Sequence, residues 1–403
     1  MKVNVFLIFI SIFYILCDVA WTTKLKMICY YNTSSILRPG YASFKTYDLE
    51  NALPLCDVII YGHIGIQART FKPTSLHHQQ HQQFALIKNL KMKYKNVKFI
   101  LSLGGGQDSR RENKYLKLLE SPMAIKEEFI KNILKVLTTY KFDGFDLAYP
   151  LPKHFRNNSK STNGSNYRFE MTKLIRTMKS RFHKDHLSLS LTIMSNTNVD
   201  AYYDMPVIVD SLDFITLAAF DYSNPQETPS KADYFAPLYA PDKHHTTTNV
   251  NFTVQQWWTH HKLPFEKINL GIAVFARTWN TTKPLKDPKM PITKLLKGPA
   301  PGGYNTRTTG LLAWPEMCKK LSKITNVSKK NFGSFAYRPA SPPNKQGLLI
   351  TYDDLDSIRE KVKFAQAKKL HGIALFDLSY DDVRGKCRGE RYAMLKAIKK
   401  LLN

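Results

Sequence analysis

The chain has 403 residues, 43% of them apolar, and carries 59 Lys and Arg against 32 Asp and Glu, a formal charge of +27. That length fits one large barrel or two domains, and the apolar fraction supports a sizeable core. The charge favours polyanions such as sulfated glycans or anionic membrane surfaces, unless the lysines form only a solvated surface.

Lys2, an apolar run over 5–17 and small or polar residues over 18–23 read as a signal peptide of about residues 1–20, cleaved within 17–23. The run is short for a bilayer-spanning anchor, and no later segment is long and apolar enough to cross a membrane. A secreted, extracellular protein is expected, which removes nucleic acid from the candidate partners. Cys17 leaves with the signal, and Cys29, Cys56, Cys318 and Cys387 remain. An even count in an oxidising compartment suggests two disulfides, with three possible connectivities. The N-x-S/T sequons at Asn32, Asn157, Asn163, Asn251, Asn280 and Asn326 are acceptor patterns for glycosylation. Asn157 and Asn163 fall in a polar loop.

Apolar runs of strand length recur at 27–31, 57–61, 97–103, 144–149, 187–193, 214–219, 268–274 and 372–378. Continuous rather than alternating hydrophobicity fits strands buried on both faces, as in parallel sheets. Amphipathic segments at 83–94, 122–140, 167–182 and 353–368 lie between them. Strand and helix alternate, which predicts an α/β fold, and eight repeats predict a (β/α)₈ TIM barrel. Two stretches break the alternation. Residues 156–166 are polar and turn-rich, a loop at the mouth of the barrel after strand four. Residues 279–351 are rich in Pro and Gly, with short strand-like pieces at 332–337 and 348–352, and fit a small α+β insertion between strand seven and its helix. The barrel then comprises 24–278 and 352–403. His77, His78 and His81 lie among glutamines without Cys or carboxylate, so no metal is expected there. Ser102-Leu103-Gly104-Gly105-Gly106 lacks the spacing of a phosphate-binding turn.

Phe142-Asp143-Gly144-Phe145-Asp146-Leu147-Ala148-Tyr149-Pro150 reads as a buried strand with Asp146, Ala148 and Pro150 on one face. An Asp there is costly to bury unless something bonds it, and two carboxylates so close suggest a polar pocket. The stretch resembles the signature of glycoside hydrolase family 18, the chitinases, which reads D-x-x-D-x-D-x-E on the fourth barrel strand. Asp143 and Asp146 match its first two carboxylates, Ala148 stands at the third Asp, and Pro150 stands at the catalytic Glu. Strand six, ending Ala218-Ala219-Phe220-Asp221, matches the family's M-x-Y-D with Asp221 kept and Phe220 in place of Tyr. Strand eight ends in Asp381-Asp382 as the family pattern does, with Phe376 in place of the tryptophan that floors the sugar subsite.

The resemblance also implies the pairings Cys29–Cys56 and Cys318–Cys387. In family 18 the Glu protonates the leaving oxygen, the substrate's N-acetyl group attacks the anomeric carbon, and the neighbouring Asp stabilises the oxazolinium. Proline has no proton to give and alanine cannot orient the acetamide, so a non-enzyme without a cofactor is implied. Asp146, Phe220, Asp221 and Phe376 are the residues of a candidate sugar cleft, and for both carboxylates a structural role in a buried hydrogen-bond network is the favoured alternative. Trp257, Trp258, Trp279 and Trp314 are further aromatic platforms or core residues. Longer strings, among them Tyr239-Ala240-Pro241-Asp242 and Ala336-Tyr337-Arg338-Pro339, are similar to the imaginal disc growth factors. That implies growth-factor-like, morphogenetic signalling through a cell-surface receptor. The alternative is a lectin for chitin oligosaccharides or sulfated glycans without a signalling role.

Overall fold

The structure, a computed structural model, describes residues 24–402 apart from 109–112, 150, 152–165, 196, 242–245, 283–284, 286–289, 295, 330–331, 341–345 and 388. The expected signal peptide, Pro150, Asn157 and Asn163 lie outside the described residues.

Eight parallel strands close into a barrel: β1 (Lys26–Asn32), β2 (Val58–Ile66), β3 (Lys98–Gly104), β4 (Gly144–Ala148), β5 (Ser188–Met194), β6 (Phe214–Ala218), β7 (Ile268–Ala273) and β8 (Gly372–Phe376). Each pairs with the next in sequence, and β8 returns to β1. Closure removes both sheet edges, so every strand is buried on two sides and reads as a solid apolar run. Alternate residues then divide between two cores. On β1, Met27, Cys29 and Tyr31 join the large core between barrel and helices, while Ile28 and Tyr30 join Val58, Ile60, Ile100, Phe214 and Ala374 in the bore.

The helices α1 (Gln80–Lys93), α2 (Met123–Tyr140), α3 (Tyr167–His183), α4 (Val250–Thr259), α5 (Leu355–Ala367) and α6 (Ala393–Leu402) surround the strands. α2 stops where Lys141 takes a left-handed conformation, φ 60°, and turns the chain into β4. Between β7 and α5 a second, antiparallel sheet is inserted. Its strand Phe275–Thr281 follows β7 directly and pairs with Gly347–Tyr352, which pairs in turn with Gly333–Arg338. The helix Trp314–Leu321 packs on one face of this sheet through Met317.

Cys29 is bonded to Cys56 and Cys318 to Cys387, the pairs the resemblance implied. The first bridge ties β1 to the chain entering β2. The second ties the inserted helix to the segment after β8. With sequence separations of 27 and 69, each is worth about 4 kcal/mol in the chain-entropy account.

His371 closes the floor of the barrel. It enters β8 with its Nδ1 2.7 Å from Asn269 Oδ1 and its ring stacked on Phe214 at 5.4 Å. Burial, then the Lys26 charge, pushes its pKa down to about 4. The unfolded chain therefore takes up a proton near pH 6.5 that the folded chain refuses until about pH 4, and stability falls as the pH drops through that window. His371→Gln removes this linkage. Urea titrations from pH 7 to pH 4 should show wild type losing about 1–3 kcal/mol more than the variant; parallel curves would contradict the half-buried, neutral imidazole.

Candidate functional site

Asp146 lies in the bore, fully buried. Strand register explains its surroundings. Ser102 on β3 and Ser190 on β5 are its direct partners across the sheet, so all three side chains point inward in one row. Ser102 Oγ donates to one carboxylate oxygen at 2.7 Å and Ser190 Oγ to the other at 2.8 Å. Thr192 Oγ1, two residues along β5, lies 3.0 and 2.9 Å from the two oxygens and 2.6 Å from the Tyr30 hydroxyl. Burial pushes the Asp146 pKa up, and the three hydroxyls oppose it. Burial, then the Asp146 charge, pushes the Tyr30 phenol up as well.

Asp143 does not share this pocket, which corrects the expectation drawn from the spacing of the two carboxylates. An odd separation places them on opposite faces of an extended chain. Asp143 precedes β4 and accepts from Phe99 N at 2.8 Å and from Lys91 Nζ, with its side chain 30% exposed. It pins β3 to β4 at the closed end of the barrel. Ala148 ends β4 at the open end and is 9% exposed. A methyl group there offers neither charge nor hydrogen bond.

The other cleft candidates gather above the bore. Phe376, at the end of β8, is half-buried and stacks on Tyr30, centroids 3.9 Å apart. Phe220 follows β6 and is only 3% exposed. Its ring lies 5.0 Å from Phe376, 5.9 Å from Phe275 and 6.1 Å from Phe235. A hydroxyl at this position would meet hydrocarbon. Asp221 turns out of line with β6 at φ 64°. It accepts from both Nε and Nη2 of Arg277 on the first inserted strand, and from Asn224 at 3.1 Å. A bidentate guanidinium pair holds the carboxylate firmly, so Asp221 joins the barrel to the insertion. Asp377, next to Phe376, accepts from Ser379 N at 2.8 Å.

Beside Asp221 opens a cleft of about 270 Å³ lined by Ser195, Tyr222, Glu227, Thr253 and Trp257. Trp257 is the candidate tryptophan that reaches it. Trp258 is exposed and stacks on Phe265, Trp279 is fully buried in the insertion, and Trp314 packs against the cores. Ser195, Glu227 and Thr253 carry no motif, and only the folded arrangement brings them together. His77, His78 and His81 do not converge, and His81 instead lies 2.7 Å from the Tyr140 hydroxyl. Among the described residues the ligand-type side chains that do converge are Asp200, His260 and His261, within 4.8 Å of one another. The adjacent histidines were visible in the sequence, but their carboxylate is sixty residues away.

Of the described sequons, Asn326 is exposed. Asn32 accepts from Ser34 N at 3.0 Å at the end of β1, and Asn251 and Asn280 are half-buried.

Removing the carboxylate from the bore strands three hydroxyls. Asp146→Ala should lower stability by about 2–4 kcal/mol in urea unfolding. A variant as stable as wild type would show that the row does not hold the barrel together.

The sequence profile of glycosyl hydrolases family 18 matches residues 26–381. The chain is 35% identical to the chitinase-like protein Idgf3 of Drosophila yakuba and to imaginal disk growth factor 6 of Drosophila melanogaster, each match covering 93% of both chains. Its fold is similar to that of catalytic domain 2 of the Ostrinia furnacalis Group II chitinase, with TM-score 0.82 and 24% identity over 94% of this chain and 96% of that one. It is also similar to human YKL-39, a pseudo-chitinase with retained chitooligosaccharide binding properties, with TM-score 0.78 and 24% identity over 94% and 99%. The chain belongs to glycosyl hydrolase family 18, among its chitinase-like, imaginal disk growth factor members.

Proposed function

We propose that this protein is a secreted, catalytically inactive chitinase-like protein that acts as a growth-factor-like, morphogenetic signal through a cell-surface receptor. One observation carries the loss of catalysis. Where family 18 places its proton donor and the neighbouring Asp, this chain has Pro150 and Ala148. General acid catalysis contributes about 10²–10⁴-fold, and here the acid and its supporting carboxylate are absent together. Asp146 does not substitute, because hydroxyl groups enclose both its oxygens. Asp221 does not substitute either, because Arg277 occupies its oxygens. The signalling role rests on the imaginal disk growth factor relatives. Secretion rests on the N-terminal apolar run and the two disulfides.

A lectin role is the second reading. The half-buried Phe376 ring at the mouth of the bore favours it, since aromatic faces bind sugars without an acid. YKL-39 shares the fold and retains binding to chitooligosaccharides.

Incubation of the purified protein with chitin oligosaccharides should release no shorter products, at a sensitivity about 10²-fold below the turnover of an active family member. Product formation that scales with protein concentration overturns the reading. Calorimetry with chitotetraose on wild type and Phe376→Ala separates the two roles. Binding lost in the variant, with mitogenic activity on cultured cells kept, identifies signalling independent of the groove; loss of both makes the sugar part of the signal.

A further inference from the structure

The inserted sheet has one face that its helix covers only in part. Register defines two rows on that face: Thr278, Ile350 and Ala336 in one, Asn280, Leu348 and Arg338 in the next. The helix Trp314–Leu321 packs on the first row, where Met317 meets Ala276, Ala336 and Ile350. It has eight residues, about 12 Å of length, and the second row remains open. A cleft of about 510 Å³ results, lined by Thr278, Asn280, Lys320, Arg338 and the backbone of Gly302 among others, and none of the described residues that line it is acidic.

Two polar groups of this cleft are buried without a hydrogen-bond partner among the described residues. Thr278 is 1% exposed, and its hydroxyl has no hydrogen-bond partner among the described residues. The same holds for the buried Nη1 of Arg338. The half-buried Arg338 forms no ion pair among the described residues, although elsewhere the molecule pairs its buried cations: Lys361 with Asp353, Lys126 with Glu170, Arg277 with Asp221. Lys320 is exposed and lines the cleft from its solvent side. A buried donor without an acceptor costs about 1–3 kcal/mol, and an acceptor arriving from outside would recover that cost. The site presents two cations, a hydroxyl and an amide in a cleft whose size suits one or two sugar rings.

We propose that this cleft binds a sulfo group of a sulfated glycan, with Arg338 and Lys320 supplying the charge and Thr278 and Asn280 the remaining hydrogen bonds. A guanidinium fork matches the oxygens of such a group, and the chain's charge of +27 draws polyanions towards it. The site is separate from the groove at the barrel mouth. Failure of chitotetraose to bind would leave it untouched, and its own failure would leave the barrel reading untouched.

The test uses the full secreted chain and a heparin-derived tetrasaccharide, with its desulfated counterpart as the comparison. Calorimetry should show the desulfated form binding at least about tenfold more weakly, as expected when charge-assisted bonds are lost. Lys320→Gln with Arg338→Gln should lose about tenfold or more, while Lys88→Gln with Arg338 and Lys320 intact and Lys135→Gln added, the same charge change on the barrel helices, should lose about twofold or less. Thr278→Val should weaken binding about two- to fivefold while the melting temperature holds or rises, because the hydroxyl it removes is unpartnered. Three results overturn the proposal: equal losses in the two charge pairs, equal binding of the desulfated form, or an N-linked glycan found by mass spectrometry on Asn280, which would fill the cleft with the protein's own sugar.

Discussion

A carboxylate inside a closed barrel has no water to solvate it, and the strands on either side must supply its donors. Asp146 meets that constraint through register. Ser102, Asp146 and Ser190 lie side by side on β3, β4 and β5, and Thr192 extends the row to Tyr30 on β1. A slip of one residue in any of these pairings would turn a hydroxyl out of the bore and put an apolar side chain against the carboxylate. The network therefore fixes how four of the eight strands align, and the positions of everything above it follow. Phe376 is placed by its stack on Tyr30. Phe220 is placed by its contact with Phe376.

The barrel was legible because closure makes every strand read alike. Expected strands at 27–31 and 187–193 differ from β1 and β5 by a residue at each end. Two boundaries moved for local reasons. β2 continues to Ile66, past an irregularity in its pairing with β3 between Tyr61 and Ile64, where Gly62 and Gly65 hid the strand from a reading based on apolar runs. β8 stops at Phe376 because Asp377 caps the short turn Leu378–Tyr380 by accepting from Ser379 N. The site was legible in residue type and not in partnership. Asp221 could be matched to a family position, but its Arg277 partner lies in the insertion, 56 residues away. The divergent surroundings of Asp143 and Asp146 were available from period-two geometry alone.

The proposed loss of the proton donor goes with an aromatic lining at the mouth of the barrel. Phe220, Phe235, Phe275 and Phe376 form a contiguous aromatic cluster with Ala218 and Ala273. Such a cluster stabilises through burial and edge-to-face contacts, about 0.5–1.5 kcal/mol per pair beyond area, and it presents no directional hydrogen bond to a bound sugar. An active site arranged for hydrolysis holds unsatisfied polar groups in readiness for a transition state. Here the polar groups of the bore satisfy one another, and aromatic rings occupy the space directly above it. The mouth is built for rigidity, with Arg277 and Asp221 fastening the insertion to the barrel across it.

Unsatisfied polarity is found instead in the insertion. Trp279 Nε1, Thr278, Thr281 and Thr351 hydroxyls and Arg338 Nη1 are all buried there without partners among the described residues. The same strand thus does opposite work on its two faces. Arg277, on one, closes a charge pair with the barrel, while Thr278 and Asn280, on the other, line a cleft whose cations have no anion among the described residues. If ligand recognition needs polar groups held apart from one another by a rigid frame, the inserted sheet meets the condition. Under the proposal above, charge would govern recognition at the inserted sheet, where ring stacking on Phe376 would govern it at the barrel mouth.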